Sequence, residues 1–267
     1  MFLTDDHLHT RFSFDGKAEP EEVCEQALKL GLSEIAITDH MDIYSNKPYG
    51  YILDCPAWYE KMQSLKEQYR GRLLVHTGIE LGQPQINPGE TKAFLEAYPV
   101  DFIIGSVHNI ENDLDIYYCD YSQMDIQAFY AHYIQWLMEL AKNYDYDVLG
   151  HVTYPSRYIF ERTGNKPDMA VFYEEFCSLF KIVIEKGKGI EVNLSGLARN
   201  SGAPMPEADL LKLYRQCGGE IVTIGSDAHV ARQAGTVSKA GQEMLKAAGF
   251  SYVTWFENRI PHFEKLD

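Results

Sequence analysis

The chain of 267 residues carries a formal net charge of −15 and has a sequence pI near 5.0. It is long enough to bury a sizeable core, and its acidic balance argues against non-specific binding to nucleic acids or anionic membranes, because like charges repel. The five cysteines follow no C-x-x-C spacing, and the sequence has neither an apolar signal core at its N-terminus nor an apolar run of the ~18 residues that a membrane span requires. These features predict a cytoplasmic protein with reduced thiols that binds neither nucleic acid nor membrane.

The first predicted strand ends in the sequence His7-Leu8-His9. Residues two apart on a strand point the same way, so both imidazoles are directed at one point. Other predicted strands also end in residue types that bind metals, namely His40, Glu80, His108, His151, Asp227 and His229. Six of the nine histidines lie at such strand ends, which predicts a metal site rather than scattered surface histidines.

Segments of helical periodicity alternate with these strands. They predict helices over residues 20–30, 57–69, 90–97, 124–143, 169–186, 206–217 and 238–248, the last of them leading to a tail. No linker rich in Gly, Ser or Pro interrupts the pattern, so we expect an α/β fold in which one domain, residues 1–267, has parallel strands joined by helical crossovers. A barrel of seven strands is favoured because it brings every C-terminal strand end to one mouth. The alternative, an open doubly wound sheet, gathers its ligands at a single switch point.

The strand ends and the residues beside them resemble the motifs of the polymerase and histidinol phosphatase (PHP) superfamily. The motifs are His7-Leu8-His9-Thr10 with Ser13-Phe14-Asp15-Gly16, Thr38-Asp39-His40, Glu80, Ser106-Val107-His108, Gly150-His151 and Gly225-Ser226-Asp227-Ala228-His229. They span positions 7 to 229 and are specific as an ordered set. The resemblance implies a distorted (β/α)7 barrel with a trinuclear metal centre at the C-terminal ends of the strands. Within the superfamily, the compact length resembles the monofunctional L-histidinol-phosphate phosphatases most.

The resemblance also implies nine metal ligands, carried over residue by residue. The first ion would take His7, His9, Glu80 and Asp227, and the second would share Glu80 and add His108 and His151. The third would take His40 and His229, with Asp15 where some relatives have histidine. Mixed imidazole and carboxylate shells suit Zn²⁺, Mn²⁺ and Fe²⁺, so we predict about two to three divalent ions of any of these elements.

A cluster of this kind predicts a metal-dependent phosphomonoesterase. A hydroxide that bridges two cations is a nucleophile at neutral pH, and the cations form a positive centre for an anionic substrate in an acidic protein. The favoured hypothesis is hydrolysis of L-histidinol phosphate to L-histidinol and phosphate, a step of histidine biosynthesis. One alternative is a PHP hydrolase of nucleotide phosphates or phosphodiesters, against which the charge of −15 counts. Another is a catalytically silent, metal-stabilised binding module, against which the complete ligand set counts.

Four further residues are predicted to act beside the ions. Arg157 and Arg199 follow the strands that end near His151 and Val192, match positions where histidinol phosphatases tend to carry arginine, and would clamp the phosphate. Asp42 is predicted to be the general acid that protonates the leaving alcohol. Tyr117, in an aromatic stretch, is predicted to stack on the substrate. The alternatives are surface arginines, a solvated carboxylate and a packed loop.

Three histidines are predicted to be structural. His76 lies four residues before Glu80 on the same strand and is therefore too deep to reach the cluster. His132 lies on the long helix and His262 in the tail.

Overall fold

A nearly closed sheet of parallel strands forms the centre of the computed structural model, which describes residues 1–44, 54–110, 114–199 and 202–267. The strands are β1 (Thr4–Leu8), β2 (Glu34–Ile37), β3 (His40–Asp42), β4 (Leu74–Gly82), β5 (Phe102–Ser106), β6 (Asn109–Ile110), β7 (Leu114–Asp115), β8 (Val148–Leu149), β9 (Gly189–Asn193), β10 (Val222–Gly225), β11 (Tyr252–Glu257) and β12 (Ile260–Lys265). The helices are α1 (Pro20–Leu30), α2 (Cys55–Tyr69), α3 (Pro88–Ala97), α4 (Ile126–Asn143), α5 (Tyr154–Thr163), α6 (Tyr173–Glu185), α7 (Ala208–Gln216) and α8 (Ser238–Ala247).

Seven parallel strands follow one another around the barrel in the order β1-β2-β4-β5-β8-β9-β10, and β3 pairs with the end of β4. Backbone bonds beyond the strand ends bring β1 next to β10: the N–H of Asp227 donates to the carbonyl of His7 at 2.8 Å, and that of His9 to Ala228 at 2.9 Å. The seven-stranded barrel predicted from the sequence is confirmed. No helix among the described residues is both long and apolar enough to cross a membrane.

Local signals in the sequence explain the well-predicted helices. α1 spans the predicted residues; Pro20 opens its first turn, the N–H of Glu19 donates to the Glu22 carboxylate at 3.1 Å, and Gly31 ends it with φ of 75°. The predicted helix over residues 169–186 is divided into a 3₁₀ turn, Met169–Phe172, and α6. α5 was not predicted, although it carries Arg157 to the mouth of the barrel.

The C-terminal residues form an antiparallel hairpin rather than the predicted tail. β11 and β12 pair over their full length and turn through Asn258 and Arg259, both with positive φ (51° and 65°), as a tight hairpin turn requires. The hairpin covers the end of the barrel opposite the mouth. There Phe256 packs with Phe102, Ile104 and Val148 in an apolar cluster between the strands.

Candidate metal centre

The nine predicted metal ligands meet at the C-terminal ends of the strands. Seven of them are buried or nearly so, while Asp15 and His229 lie on the solvent side. The nine are His7, His9, Asp15, His40, Glu80, His108, His151, Asp227 and His229. Parallel strands from all sides of the barrel thus deliver them to one mouth.

Glu80, at the end of β4, lies in the middle of the cluster. Its Oε1 is 2.8 Å from Nε2 of His151 and 3.0 Å from Nε2 of His108. Its Oε2 faces the other side, 3.2 Å from Nε2 of His7 and 3.0 Å from Nδ1 of His40. The two oxygens of one carboxylate therefore face two different sets of imidazoles, which is the geometry of a carboxylate that bridges two ions.

Among the described residues, three groups of side chains have ligand atoms close enough to hold an ion: His7, His9 and Glu80; His40, Glu80 and His108; and His9, His40 and His229. Asp227 adjoins the first group, with Oδ1 3.3 Å from Nε2 of His9. Asp15 adjoins the third, with Oδ2 2.9 Å from Nε2 of His229. These groups place His40 between the second and third sets, whereas the resemblance assigned it to the third alone.

The ring nitrogens within the cluster face one another in pairs. Nε2 of His7 is 3.1 Å from Nε2 of His9, and Nε2 of His108 is 3.3 Å from Nε2 of His151. Two imidazole lone pairs at this distance repel each other unless a proton or a cation lies between them. Together with the carboxylates of Glu80 and Asp227, these nitrogens form a donor set that fits Zn²⁺, Mn²⁺ or Fe²⁺.

The pKa values of the buried histidines show that the carboxylates of the cluster stabilise positive charge on the imidazoles beside them. Burial alone would lower the pKa of His7, but the facing carboxylates of Glu191 and Glu80 raise it well above its usual range. Burial would also lower the pKa of His40, yet Glu80 and Asp42 raise it to about 9. Protons on these imidazoles compensate the carboxylates, and divalent ions would replace those protons.

Four of the imidazoles make a hydrogen-bonding contact through Nδ1. His7 contacts Glu191 Oε1 at 2.6 Å, His9 contacts Ser13 Oγ at 3.1 Å, and His108 contacts Asp42 Oδ1 at 2.9 Å. His229 contacts the carbonyl oxygen of Asp227 at 2.9 Å. A carboxylate only accepts hydrogen bonds, so the Nδ1 of His7 and that of His108 are donors and each Nε2 is left to face the cluster. Neither Glu191 nor Ser13 was predicted to be a site residue, although an acid inside the apolar strand β9 is a visible signal in the sequence.

Asp42, the predicted general acid, is buried within this supporting layer. One oxygen accepts from His108, and the other is 3.7 Å from Nδ1 of His40. Gly82 leaves the space it needs, since a Cβ there would lie 1.7 Å from Asp42 Oδ1. Asp42 also lines the cavity above the cluster, where a general acid would have to be. Its function as an acid stays a prediction.

A cavity of about 350 Å³ opens above the cluster. Both predicted arginines line it: Arg157 is buried and its Nη2 donates to Ser195 Oγ, while Arg199 is exposed at the rim. Tyr117 lines it too, with 44% of the residue exposed and its ring edge-on to Tyr158 at 5.3 Å. The cavity therefore combines positive, negative and aromatic side chains.

Asp115 and Tyr154 also line this cavity and were not predicted. Asp115 accepts a hydrogen bond from the Tyr117 N–H at 2.7 Å, and burial raises the pKa of its carboxyl. The ring of Tyr154 lies 5.2 Å from that of His108 and 5.1 Å from that of Tyr158.

The three remaining histidines lie outside the cluster. His76 stacks on Trp255 at 5.1 Å near the opposite end of the barrel, and His262 stacks on the other side of the hairpin's Trp255 at 4.2 Å. His132 accepts a hydrogen bond from Trp136 Nε1 on α4 at 2.9 Å. None of the five cysteines, which all lie in the described part of the chain, forms a disulfide.

Known proteins match this chain over most of its length. The family model of the PHP domain matches residues 5–195. A histidinol-phosphatase from Lactococcus lactis is 26% identical over 96% of this chain and 95% of its own. A Thermotoga maritima protein named "Probable histidinol-phosphatase" is 28% identical over 94% of both chains.

A solved structure shares the fold. The crystal structure of a histidinol phosphate phosphatase from Lactococcus lactis, in complex with zinc, L-histidinol and phosphate, matches with a TM-score of 0.82 and 24% identity. The match covers 98% of this chain and 99% of that chain. The whole barrel, including the C-terminal hairpin, therefore has a counterpart in that protein.

Proposed function

The chain belongs to the PHP domain family, and on that premise we propose that it is a metal-dependent phosphomonoesterase that hydrolyses L-histidinol phosphate to L-histidinol and phosphate. The observation that carries this proposal is the position of Glu80, whose two oxygens face two sets of imidazoles at the floor of a cavity lined by two arginines. Relatives named histidinol-phosphatase that match over nearly the full chain support the choice of substrate.

About two to three divalent ions would be held by the nine ligands, with zinc, manganese and iron all suited to the donor set. Ions bound there would supply a nucleophile at neutral pH and stabilise negative charge on the phosphate. Because a phosphate monoester at a mouth lined by Glu80 and Asp227 would otherwise be repelled, the ions also make binding of the anion possible.

The arginines bind the phosphate oxygens that the ions leave free. The guanidinium of Arg157 is held in place before a substrate binds, because it is buried against the rings of Tyr154 and Tyr158 and hydrogen-bonded to Ser195. Arg199, at the rim, closes the clamp from the solvent side. Planar guanidinium groups suit this task because each can donate two parallel hydrogen bonds to a phosphate.

The cationic end of the substrate binds at the part of the cavity wall that Asp115 forms. Histidinol carries an ammonium group and an imidazole, and Asp115 offers a carboxylate beside the rings of Tyr117 and Tyr158. A cation at this point gains both charge neutralisation and contact with aromatic faces. A nucleotide would instead bring additional negative charge toward Asp115 and Asp42.

Asp42 is the proposed proton donor to the leaving alcohol. It lies behind His108 in a hydrogen bond of 2.9 Å, and it lines the cavity in which the alcohol would leave. Protonation of the alcohol avoids the release of an unstable alkoxide.

We further propose one domain over residues 1–267, in the cytoplasm, with no nucleic-acid partner. The domain assignment is supported by the single sheet that joins β1 to β10 and by the packing of Phe256 from the C-terminal hairpin against Phe102 of that sheet. The net charge of −15 counts against a polynucleotide partner.

Phosphate release from a substrate panel tests this function. The wild-type protein, loaded in turn with Zn²⁺, Mn²⁺ and Fe²⁺, is expected to show a higher kcat/KM for L-histidinol phosphate than for nucleoside mono- and bisphosphates. Asp115→Asn should lower kcat/KM for L-histidinol phosphate and leave glycerol phosphate, which has no cation, nearly unchanged. Equal or better efficiency on a nucleotide would assign the protein to the nucleotide hydrolases instead.

A further inference from the structure

Glu191 is a fully buried carboxylate in the middle of β9, a strand that supplies none of the nine ligands. Its Oε1 accepts hydrogen bonds from His7 Nδ1 at 2.6 Å and Asn193 Nδ2 at 3.1 Å. Its Oε2 accepts from the backbone N–H of His151 at 2.8 Å. One carboxylate thus satisfies three donors, and two of them belong to ligands on different strands.

The space around this carboxylate is made by glycines on the neighbouring strands. A Cβ on Gly225 would lie 2.1 Å from Glu191 Oε1, and one on Gly150 would lie 3.5 Å from Oε2 and 2.6 Å from Ser106 Oγ. A side chain at Gly225 on β10 would therefore displace the carboxylate, whereas one at Gly150 would touch it and clash with Ser106. The Glu191 carboxylate therefore occupies space that is available because position 225 is a glycine.

The backbone of His151 also depends on this contact. Its φ of 22° is in the left-handed region, which a residue with a Cβ adopts only when its surroundings hold it there. The hydrogen bond from the His151 N–H to Glu191 is one such constraint. The side chain of His151 then reaches Glu80 at 2.8 Å.

We propose that Glu191 is a positioning residue that sets the metal affinity of the cluster by holding His7 and His151 together. Because a carboxylate only accepts hydrogen bonds, Nδ1 of His7 keeps its proton and Nε2 presents its lone pair to the cluster. Other ligands have supports of their own: Ser13 Oγ contacts His9 Nδ1 at 3.1 Å and accepts from the backbone N–H of His40 at 3.1 Å, and Asp42 accepts from His108 Nδ1 at 2.9 Å. Glu191 differs from Ser13 in its charge, and from Asp42 in contacting two ligands at hydrogen-bonding distance. The inference rests on the metal centre proposed above and is independent of the substrate.

The test compares Glu191→Gln with Glu34→Gln. Glutamine offers one acceptor oxygen in place of two, so either the His7 Nδ1–H or the His151 N–H must face an amide NH₂ group. Glu34 is a matched control because it is also a fully buried acid inside the barrel, but it contacts none of the ligands through a hydrogen bond or ion pair among the described residues. Zinc affinity is measured by competition with a chelator, and unfolding by urea gives the stability of both variants.

We expect Glu191→Gln to bind zinc about 10–100-fold more weakly than the wild type, and Glu34→Gln to bind it as the wild type does. Equal affinities in wild type and Glu191→Gln, or an equal loss in both variants, would overturn the proposal. If zinc binding is lost only in Glu191→Gln, the proposal stands even when the protein turns over a different phosphate ester.

A second measurement needs no variant. Long-range ¹H–¹⁵N correlation spectra of the zinc-loaded wild-type protein report which ring nitrogen of His7 carries the proton. The proposal requires the proton on Nδ1, and a proton on Nε2 would overturn it even if Glu191→Gln failed to fold.

Discussion

Arg157 and Arg199 reach the mouth of the barrel from different surroundings. Arg157 is 4% exposed, donates to Ser195 and lies 4.0 Å from Asp227 Oδ2, so its guanidinium is held in place before a substrate binds. Arg199 is exposed and follows the 3₁₀ turn Ser195–Ala198. Arg157 is therefore preorganised, whereas Arg199 would have to be ordered on binding if it contacts the proposed phosphate.

Arg199→Met and Arg157→Met are each expected to weaken transition-state binding by roughly 1.5–3 kcal/mol, the usual range for a hydrogen bond to a charged group. The measurement is kcat/KM for L-histidinol phosphate. Arg70→Met, at the exposed C-terminal end of α2, is the control and should leave kcat/KM unchanged. Wild-type efficiency in both mouth variants would remove the arginines from the phosphate site.

At the scale of single residues, the sequence predicted which candidate ligands converge better than it predicted the groups that contact them from behind. His7 or Glu80 can be recognised because a metal ligand must sit at a strand end in a parallel barrel. Glu191 supports His7 from 184 positions away, and Asp115 approaches the cavity from a short helical turn. Neither contact has a fixed sequence spacing, so only the fold brings these residues to the site.

The β11–β12 hairpin is the element that completes the barrel at the end opposite the metal centre. Phe256 stacks on Phe102 at 5.1 Å, and Arg259 forms an ion pair with Asp147, the residue before β8. The N–H of Arg259 donates to the carbonyl of Asp101, the residue before β5. The hairpin thus ties down the starts of strands whose other ends carry His108 and His151.

Phe256→Ala is expected to lower the free energy of unfolding by about 3–5 kcal/mol, because it leaves a cavity between the strands. Urea unfolding measures this loss. Tyr252→Ala, at the exposed start of the same strand, is the control and should cost much less. Equal stability of Phe256→Ala and wild type would mean that the hairpin does not close the core.

Helices with strong local signals could be predicted from the sequence, and elements held by packing could not. α1 has a proline in its first turn, a capping pair of glutamates and a terminal glycine. α5 contains Tyr154, Tyr158 and Ile159, whose intrinsic helix preference is weak, and it forms because these side chains pack at the mouth. The hairpin depends in the same way on the barrel end that it covers.

Within the barrel as a whole, a pair of buried acids lies beneath the metal centre. Asp6 and Glu34 are both fully buried and interact with each other and with Thr4. Burial raises the pKa of Asp6 to about 8, and burial together with Asp6 raises the pKa of Glu34 well above its ordinary 4.5. The folded protein therefore holds a proton here that the unfolded chain would release at neutral pH.

This pair should make the protein less stable as the pH rises. A carboxyl whose pKa is raised by folding contributes its full stability below its unfolded pKa, which is 3.8 for Asp6 and 4.5 for Glu34, and loses that contribution as the pH rises through its folded pKa, about 8 for Asp6. Relative to Glu34→Gln, the wild type is expected to lose free energy of unfolding across this window. Urea unfolding of both proteins at several pH values measures the difference, with the exposed Glu60→Gln as control. Parallel pH profiles of wild type and Glu34→Gln would show that the two acids share no proton.

The fold of the whole molecule could be predicted because the strand and helix pattern repeats without interruption. Each parallel strand needs a crossover, and each crossover here has a helical pattern of suitable length. The partners of the buried acids could not be predicted in the same way. Glu34 and Glu191 are acids in buried strands, and only the closed barrel shows that one faces Asp6 and the other faces His7.

The metal content of the purified wild-type protein, measured with its phosphatase activity, tests the central claim most directly. Nine converging ligands and the bridging position of Glu80 predict about two to three divalent ions per chain, loss of phosphate release from L-histidinol phosphate after chelation, and recovery when the ions are returned. Full activity with one ion or none per chain would contradict the account.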